Sequence, residues 1–365
     1  MNTTKQNFFG IINVNKPKGF TSHDVVAKLR KILNIKQIGH TGTLDPMATG
    51  VLPVCIGKAT KIIQYLESSK AYRAFIKLGI KTDTYDMEGQ ILEKIPVNIN
   101  MDEIKKYLKD FKGEITQTPP IYSAVHYKGK RLYEYARKNI EITDIPTRKV
   151  TINSIELLDI LSPPPPHASV IARSEATKQS MNSCFLDCRV GAKVPPRNDE
   201  NPVLIVDIDC SEGTYIRSIA YDLGEKLGCG ACLSDLIRTK AGRFTLDKTH
   251  TLEEIESYYQ SRDFDKFLLN PVEILPLEDL EVDEVLLEKI QKGQCFTIDQ
   301  NFLCHSEVNS KNLPDKQQKS LSPNEQILRY AQDDRKSLLQ LVYKNKLAAI
   351  ARFEDNVIKP VNVFI

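Results

Sequence analysis

Alternating apolar and polar residues predict a strand between residues 71 and 79. Every second residue from Tyr72 to Leu78 lies on one face, and a period of two is typical of a half-buried strand. Other patterns predict strands at 10–14 and 203–209 and helices at 22–33, 102–111 and 216–227. Because strands and helices mix without a regular β-α-β repeat, the pattern favours an α+β fold over a doubly wound parallel sheet.

The C-terminal part of the chain has a different pattern. Three strand-like runs at 338–343, 347–353 and 357–364 are separated by short polar segments, which is typical of consecutive strands. We therefore expect a main domain over residues 8–273 and a small β domain over residues 274–365.

Two segments interrupt the globular pattern, at 161–202 and 306–337, and the first includes four successive prolines at 163–166. Structureless loops of this length are rare inside compact domains, so each segment is predicted to be a flexible insertion at a surface hairpin without a catalytic role. Both resemble translated palindromic repeat elements of small bacterial genomes. The alternative is an ordinary family-specific loop.

Composition narrows the class of protein. The 365 residues are 41% hydrophobic and 27% charged, which excludes a collagen-like or fully disordered chain. The sequence contains no run of 18 apolar residues, so it predicts no membrane span.

Eight cysteines in a chain without a recognisable secretory leader predict reduced thiols and a cytoplasmic location. The pair Cys229 and Cys232 follows a predicted helix and has no well-spaced second pair, so we expect neither a zinc nor a redox site.

Basic residues cluster although the net charge is only +3. Residues 121–150 carry a local net charge of +4, and four tyrosines are interleaved with the lysines and arginines. Lysine and arginine bind phosphates while tyrosines stack on unpaired bases, so the cluster is a candidate RNA surface. A solvated face of the fold is the alternative.

Three glycines and a single carboxylate mark the segment from Gly39 to Gly50. The carboxylate is Asp45, and the glycines allow tight turns and a close approach of a ligand. The alternative interpretation is that Asp45 caps a helix with Pro46 at its first position. The segment lacks the lysine and hydroxyl of a Walker A loop, which disfavours nucleotide triphosphate chemistry.

Five motifs, in order, resemble those of the TruB-type tRNA pseudouridine-55 synthases. They cover Lys16–Ser22, Gly39–Pro46, Lys70–Tyr72, Gly213–Arg217 and Leu236–Thr239. The resemblance extends over residues 8–160 and 203–273, and more weakly over the C-terminal strands. One departure is Ile237, where the family usually has a second arginine, and this change is expected to weaken one RNA contact.

The resemblance implies a fold and a reaction. The fold is a mixed, largely antiparallel central sheet flanked by helices, with a C-terminal domain like the PUA family of RNA-binding modules. The reaction isomerises uridine to its C-glycoside without net redox change, so neither a cofactor nor a metal is expected. Asp45 matches the catalytic aspartate, Arg217 would pair with it and keep it ionised, and Tyr72 would stack on the base and serve proton transfer at C5. Without the resemblance, the sequence would indicate that Arg217 is a solvated surface charge and that Tyr72 is an aromatic residue in the core or at its rim.

The resemblance also implies substrate contacts. The target uridine of a tRNA T loop must be flipped out of its stack, and His40 matches the residue that fills the vacated place. Residues 118–150 would form a mobile thumb that closes on the RNA. The remaining expected substrate-binding residues are Lys16, Lys130, Arg131, Tyr215 and Leu236.

Two other functions share these features. A guide-RNA-dependent pseudouridine synthase carries the same motifs, but the chain's end at Ile365 favours a standalone, monomeric enzyme. A tRNA-binding or folding module with secondary catalysis is disfavoured, because both Asp45 and Arg217 are present.

Overall fold

A computed structural model describes residues 8–98, 100–138, 140, 142, 144–161, 201–297, 337–354 and 357–365. The chain divides into two compact units, the first formed by residues 1–68 and 240–365 and the second by residues 69–239. The predicted insertions at 161–202 and 306–337 lie almost entirely outside the described residues. The predicted domain boundary at 273/274 stays a prediction.

The first unit begins with a strand, a helix and two further strands, which are β1 (Gly10–Lys16), α1 (Ser22–Leu33), β2 (Ile38–His40) and β3 (Thr49–Ile56). Strand β3 pairs antiparallel with both β1 and β2. The side chain of Thr21 accepts the Asp24 N–H while Asp24 accepts the Thr21 N–H, so a capping box starts α1. The helix predicted at 22–33 is confirmed.

The second unit contains an antiparallel sheet, two short hairpins, several helices and a strand that continues into residue 241. In chain order the elements are β4 (Lys70–Leu78), β5 (Ile80–Thr82), β6 (Ile91–Lys94), α2 (Met101–Lys109), β7 (Gly113–Gln117), β8 (His126–Tyr127), β9 (Lys130–Arg131), α3 (Leu132–Ala136), β10 (Arg148–Leu161), β11 (Val203–Cys210), α4 (Ile216–Leu227) and β12 (Ala231–Ala241).

Strands β4, β11, β10 and β7 form an antiparallel sheet in that order. Alternate residues of β4 from Tyr72 to Leu78 are buried, which confirms the predicted strand and its apolar face. Helix α4 packs on β4 and α2 through its own apolar stripe. It ends at Gly228, whose φ of 71° is the left-handed conformation that favours glycine.

The remainder of the chain returns to the first unit. Its elements are β13 (Phe244–Thr245), α5 (Leu252–Ser261), α6 (Pro271–Ile274), β14 (Glu278–Glu281), α7 (Glu284–Gln291), β15 (Phe296–Thr297), β16 (Ser337–Tyr343), β17 (Lys346–Glu354) and β18 (Val357–Val363). Strands β14, β16, β17, β18 and β15 form a five-stranded sheet, with β14 parallel to β16 and the other pairs antiparallel.

This C-terminal sheet has an apolar core of its own around Leu341, Phe353 and Ile358. Its opposite face packs on the start of the chain, because Ile350 belongs to the same buried cluster as Ile11. The α+β class and the C-terminal β sheet predicted from the sequence are therefore confirmed.

Candidate active site

Asp45 lies at the first position of a tight turn. The Ala48 N–H donates to the Asp45 carbonyl at 3.1 Å, Pro46 occupies the second position, and β3 begins at Thr49. Proline is favoured there because its fixed φ suits the turn. No helix follows Asp45, so the alternative that it caps a helix is wrong.

The residue before Asp45 is fixed by helix α1. The Leu44 N–H donates to Ser22 Oγ at 2.9 Å, and both residues are buried. Ser22 is the first residue of α1, so the start of that helix sets the main-chain position next to the Asp45 carboxylate.

The residue after Asp45 is fixed by a buried lysine. The ammonium of Lys16 donates to the carbonyls of Pro17, Phe20 and Pro46, the last at 3.2 Å, and the Lys16 side chain is completely buried. A buried ammonium needs such acceptors to offset its lost hydration. Lys16 holds this loop from inside, and its predicted contact with RNA stays a prediction.

His40 lies at the end of β2, five residues before Asp45. Its ring makes an edge-to-face contact with the ring of His23 on α1, with centroids 5.3 Å apart. The side chain of His40 is only partly buried, whereas that of His23 is exposed.

Arg217 lies in the first turn of α4 and is buried. Its guanidinium donates to the carbonyls of Thr84 at 3.2 Å and Tyr122 at 3.0 Å. One nitrogen also lies 3.4 Å from a carboxylate oxygen of Asp86, and both side chains are only 6% exposed. The alternative that Arg217 is a solvated surface charge is wrong. Its expected pairing with Asp45 stays a prediction.

An unusual turn places two of these acceptors, those of Thr84 and Asp86, beside Arg217. Tyr85 has φ of 63°, a left-handed conformation that is uncommon for a bulky residue, and it lies between Thr84 and Asp86. The Tyr85 ring stacks on Tyr221 with centroids 4.1 Å apart. Burial raises the pKa of Tyr85 to about 12, so its hydroxyl stays neutral.

Tyr215 is held from two neighbouring strands. The Gln117 amide accepts the Tyr215 N–H at 2.8 Å and donates to the Tyr215 carbonyl at 2.9 Å. The Arg148 guanidinium lies over the Tyr215 ring, 5.3 Å from its centroid. Gln117 and Arg148 are register partners of β7 and β10, so one cross-strand pair holds both the main chain and the ring of Tyr215.

Two further predicted site residues of the second unit are buried. Tyr72 is 7% exposed on the apolar face of β4, and Leu236 is 4% exposed on β12. Both positions fit a core residue and a pocket wall equally well.

The predicted RNA contacts Lys130 and Arg131 form the second strand of a short, exposed hairpin. The Tyr127 and Tyr135 rings meet edge to face beside it, and Lys128 lies over the Tyr127 ring. The exposed cations and aromatic rings provide the phosphate-binding and stacking groups that an RNA surface needs.

Cys229 and Cys232 are both buried, free thiols. Burial raises the pKa of Cys232 to about 11, so its reactive thiolate is scarce at neutral pH. In the described part of the chain, no helix is long and apolar enough to cross a membrane.

Sequence reasoning missed Asp86 and Gln117. Asp86 belongs to a polar turn after β5, where a carboxylate ordinarily faces solvent, and Gln117 ends a strand whose other residues are partly or fully exposed. No local pattern distinguishes either residue, because each is buried by partners far along the chain.

The family comparisons match this architecture. The sequence matches the family models for the TruB family pseudouridylate synthase N-terminal domain over residues 30–178 and for the tRNA pseudouridylate synthase B C-terminal domain over residues 217–280. It is 43% identical over 262 residues to the tRNA pseudouridine synthase B of Clostridioides difficile, covering 71% of this chain and 74% of that relative. It is 42% identical over 288 residues to the protein of the same name from Caldanaerobacter subterraneus, covering 78% and 85%.

A solved structure, described as an H/ACA RNP bound to a substrate RNA containing 2'-deoxyuridine, matches with a TM-score of 0.59. The match covers 98% of this chain and 85% of that one at 22% identity, which shows the shared fold alone. Together the fold, the motifs and the family matches define a pseudouridylate synthase. The chain belongs to the TruB family of these isomerases.

Proposed function

We propose that this enzyme isomerises uridine 55 in the T loop of tRNA to pseudouridine, with Asp45 as the nucleophile. In this reaction the N1–C1′ bond breaks, the uracil turns, and a C5–C1′ bond forms. The C5 proton is lost and N1 gains a proton, so no oxidant or reductant is consumed and no cofactor or metal is required.

The observation that carries the proposal is the fixation of both neighbours of Asp45. Leu44 is held by Ser22, and Pro46 is held by Lys16. A nucleophile gains most when its position is set before the substrate arrives, because little ordering is then required in the transition state. The names of the 42–43% identical relatives support tRNA as the substrate.

The other residues receive their roles from the family motifs. Tyr72 stacks on the flipped uracil and serves proton transfer at C5, Arg217 pairs with Asp45 and keeps it ionised, and His40 fills the space that the base leaves. Tyr215 and Leu236 shape the pocket. Lys16 belongs by its motif to the substrate-binding residues, and its ammonium holds the loop of Asp45 through the Pro46 carbonyl.

Lys130 and Arg131 bind the RNA backbone from the exposed hairpin, and the basic segment around them closes on the T stem-loop as a thumb. We place the enzyme in the cytoplasm as a monomer that acts on tRNA alone.

The test uses purified protein and an unmodified T stem-loop RNA, without guide RNA. Pseudouridine is mapped by mass spectrometry and is expected only at uridine 55 of the T loop. A stem-loop with cytidine at position 55 is expected to give no product. Asp45→Asn is expected to abolish product while retaining RNA binding, whereas the matched variant Asp265→Asn, at an exposed position of a short 3-10 helix, retains activity. Product from Asp45→Asn would refute the nucleophile, and product only with an added guide RNA would refute the standalone function.

A further inference from the structure

Gln117 holds the residue that precedes helix α4. Its side chain is 1% exposed, and its amide makes two hydrogen bonds of 2.8 and 2.9 Å with the main chain of Tyr215. Tyr215 lies 98 residues away in sequence, so no local interaction fixes its position relative to β7. The amide provides one donor, to the Tyr215 carbonyl, and one acceptor, for the Tyr215 N–H.

The segment after Gln117 continues the same attachment to α4. The Ser218 hydroxyl donates to the Thr118 carbonyl at 2.8 Å, and the Arg217 guanidinium donates to the Tyr122 carbonyl at 3.0 Å. Gln117, Thr118 and Tyr122 therefore bind the residue that precedes α4 and two residues of its first turn.

Arg217 depends on this attachment. Its acceptors include the carbonyls of Thr84 and Tyr122 and the carboxylate of Asp86, so a displaced first turn would lengthen these three contacts at once. Charge-assisted hydrogen bonds of this kind weaken steeply with distance and misalignment.

We propose that Gln117 is a positioning residue for the isomerisation: its amide fixes the main chain of Tyr215 and thereby the guanidinium of Arg217. Gln117 does not touch the substrate in this proposal and acts through α4. The inference rests on the proposed role of Arg217 in the reaction.

The first experiment replaces Gln117 by methionine, which has a similar length but neither hydrogen bond. The single-turnover rate on the T stem-loop RNA is expected to fall at least about tenfold, while the Kd for RNA changes less than about threefold. The matched control is Gln340→Met. Gln340 is also a fully buried glutamine that donates to main-chain carbonyls, those of Val272 and Leu277, but it belongs to the C-terminal sheet.

Both variants are expected to lower the melting temperature, but only Gln117→Met is expected to lower the single-turnover rate at a temperature where each variant is folded. A Gln117→Met rate within about twofold of the parent would overturn the proposal, as would an equal loss of rate in Gln340→Met.

The second experiment uses Gln117→Glu and remains decisive if the methionine variant does not fold. An ionised glutamate accepts from the Tyr215 N–H but repels its carbonyl, whereas a protonated glutamate makes both bonds. Burial raises the pKa of a carboxyl, so the protonated form of this glutamate becomes populated as the pH falls. The rate relative to the parent is therefore expected to rise as the pH is lowered from about 8 to about 6, and a constant ratio would overturn the proposal.

Arg217→Lys in the same assay separates this inference from the proposed function. Full activity in Arg217→Lys would refute the role of Arg217 itself. An inactive Arg217→Lys together with a fully active Gln117→Met would refute only the positioning role of Gln117.

Discussion

The guanidinium of Arg217 lies 3.4 Å from the carboxylate of Asp86, and each side chain is only 6% exposed. The other oxygen of Asp86 accepts from the Thr84 hydroxyl at 2.6 Å and from the Glu88 N–H at 3.1 Å. Both oxygens of the carboxylate therefore have partners, which a buried charge requires. A second arginine–aspartate pair, Arg73 with Asp207, is bidentate but about 40% exposed.

The two pairs are expected to differ in their contribution to stability. Asp86→Asn removes the buried carboxylate that lies beside the buried guanidinium of Arg217, so we expect a loss of about 3 to 5 kcal/mol in the free energy of unfolding. Asp207→Asn removes a solvent-screened partner of Arg73, and we expect a loss of no more than about 1 kcal/mol. Urea unfolding at neutral pH measures the free energy of unfolding of both variants and of the parent. Equal losses would contradict the assigned difference in burial.

The same structure shows what the sequence alone predicts and what it does not. Helix α1 was predictable because Thr21, Asp24 and the apolar stripe behind them act within one helical turn. The face of β4 that carries Tyr72 was predictable because side chains alternate along any strand. Both features depend on neighbours in sequence.

The conformation of Asp45 was not predictable from its neighbours. An aspartate before a proline suits a helix cap and a tight turn equally well, and the turn is favoured here by the bond from Lys16 to Pro46, 30 residues apart. The burial of Arg217 likewise depends on Thr84 and Tyr122, which lie 133 and 95 residues away. Partners distant in sequence therefore determine both the turn at Asp45 and the burial of Arg217.

Ser22 is expected to affect activity as well as folding. Ser22→Ala removes the acceptor of the buried Leu44 N–H, which costs about 1 to 3 kcal/mol of stability and loosens the residue next to Asp45. Thr21→Ala removes the neighbouring helix cap, which costs about 1 kcal/mol, but the hydrogen bonds of the Thr21 side chain go to Asp24 rather than to Leu44. Single-turnover rates are expected to fall in Ser22→Ala and to stay near the parent value in Thr21→Ala. The opposite order would contradict the role assigned to Ser22.

Asp222 is expected to make stability depend on pH. Burial raises the pKa of this carboxyl from 3.8 to about 6. Between these values the folded chain holds a proton that the unfolded chain has released, so the contribution of Asp222 is most favourable below about pH 4 and is lost as the pH rises through about 6.

Asp222→Asn is therefore expected to raise the melting temperature at pH 7.5 and to have little effect at pH 4. The side chain is partly exposed, so solvent screening limits the gain to about 1 kcal/mol. Asp265→Asn, an exposed control, is expected to show no such pH-dependent difference. An equal rise in the melting temperature of Asp222→Asn at pH 7.5 and at pH 4 would refute the explanation by a buried carboxyl.

The exposed hairpin of Lys130 and Arg131 is expected to contribute affinity through phosphate contacts. Each alanine substitution should weaken binding of the T stem-loop and reduce the slope of log K against log salt by about 0.7 to 0.9, because each removes the release of one condensed counterion. The rate at saturating RNA should stay unchanged, since neither side chain is assigned to the chemical step. Lys266→Ala, which removes an exposed lysine already paired with Asp263, is the control and should leave the slope unaltered. Weaker binding with an unchanged slope would mean that Lys130 and Arg131 act through the shape of the hairpin rather than through phosphates.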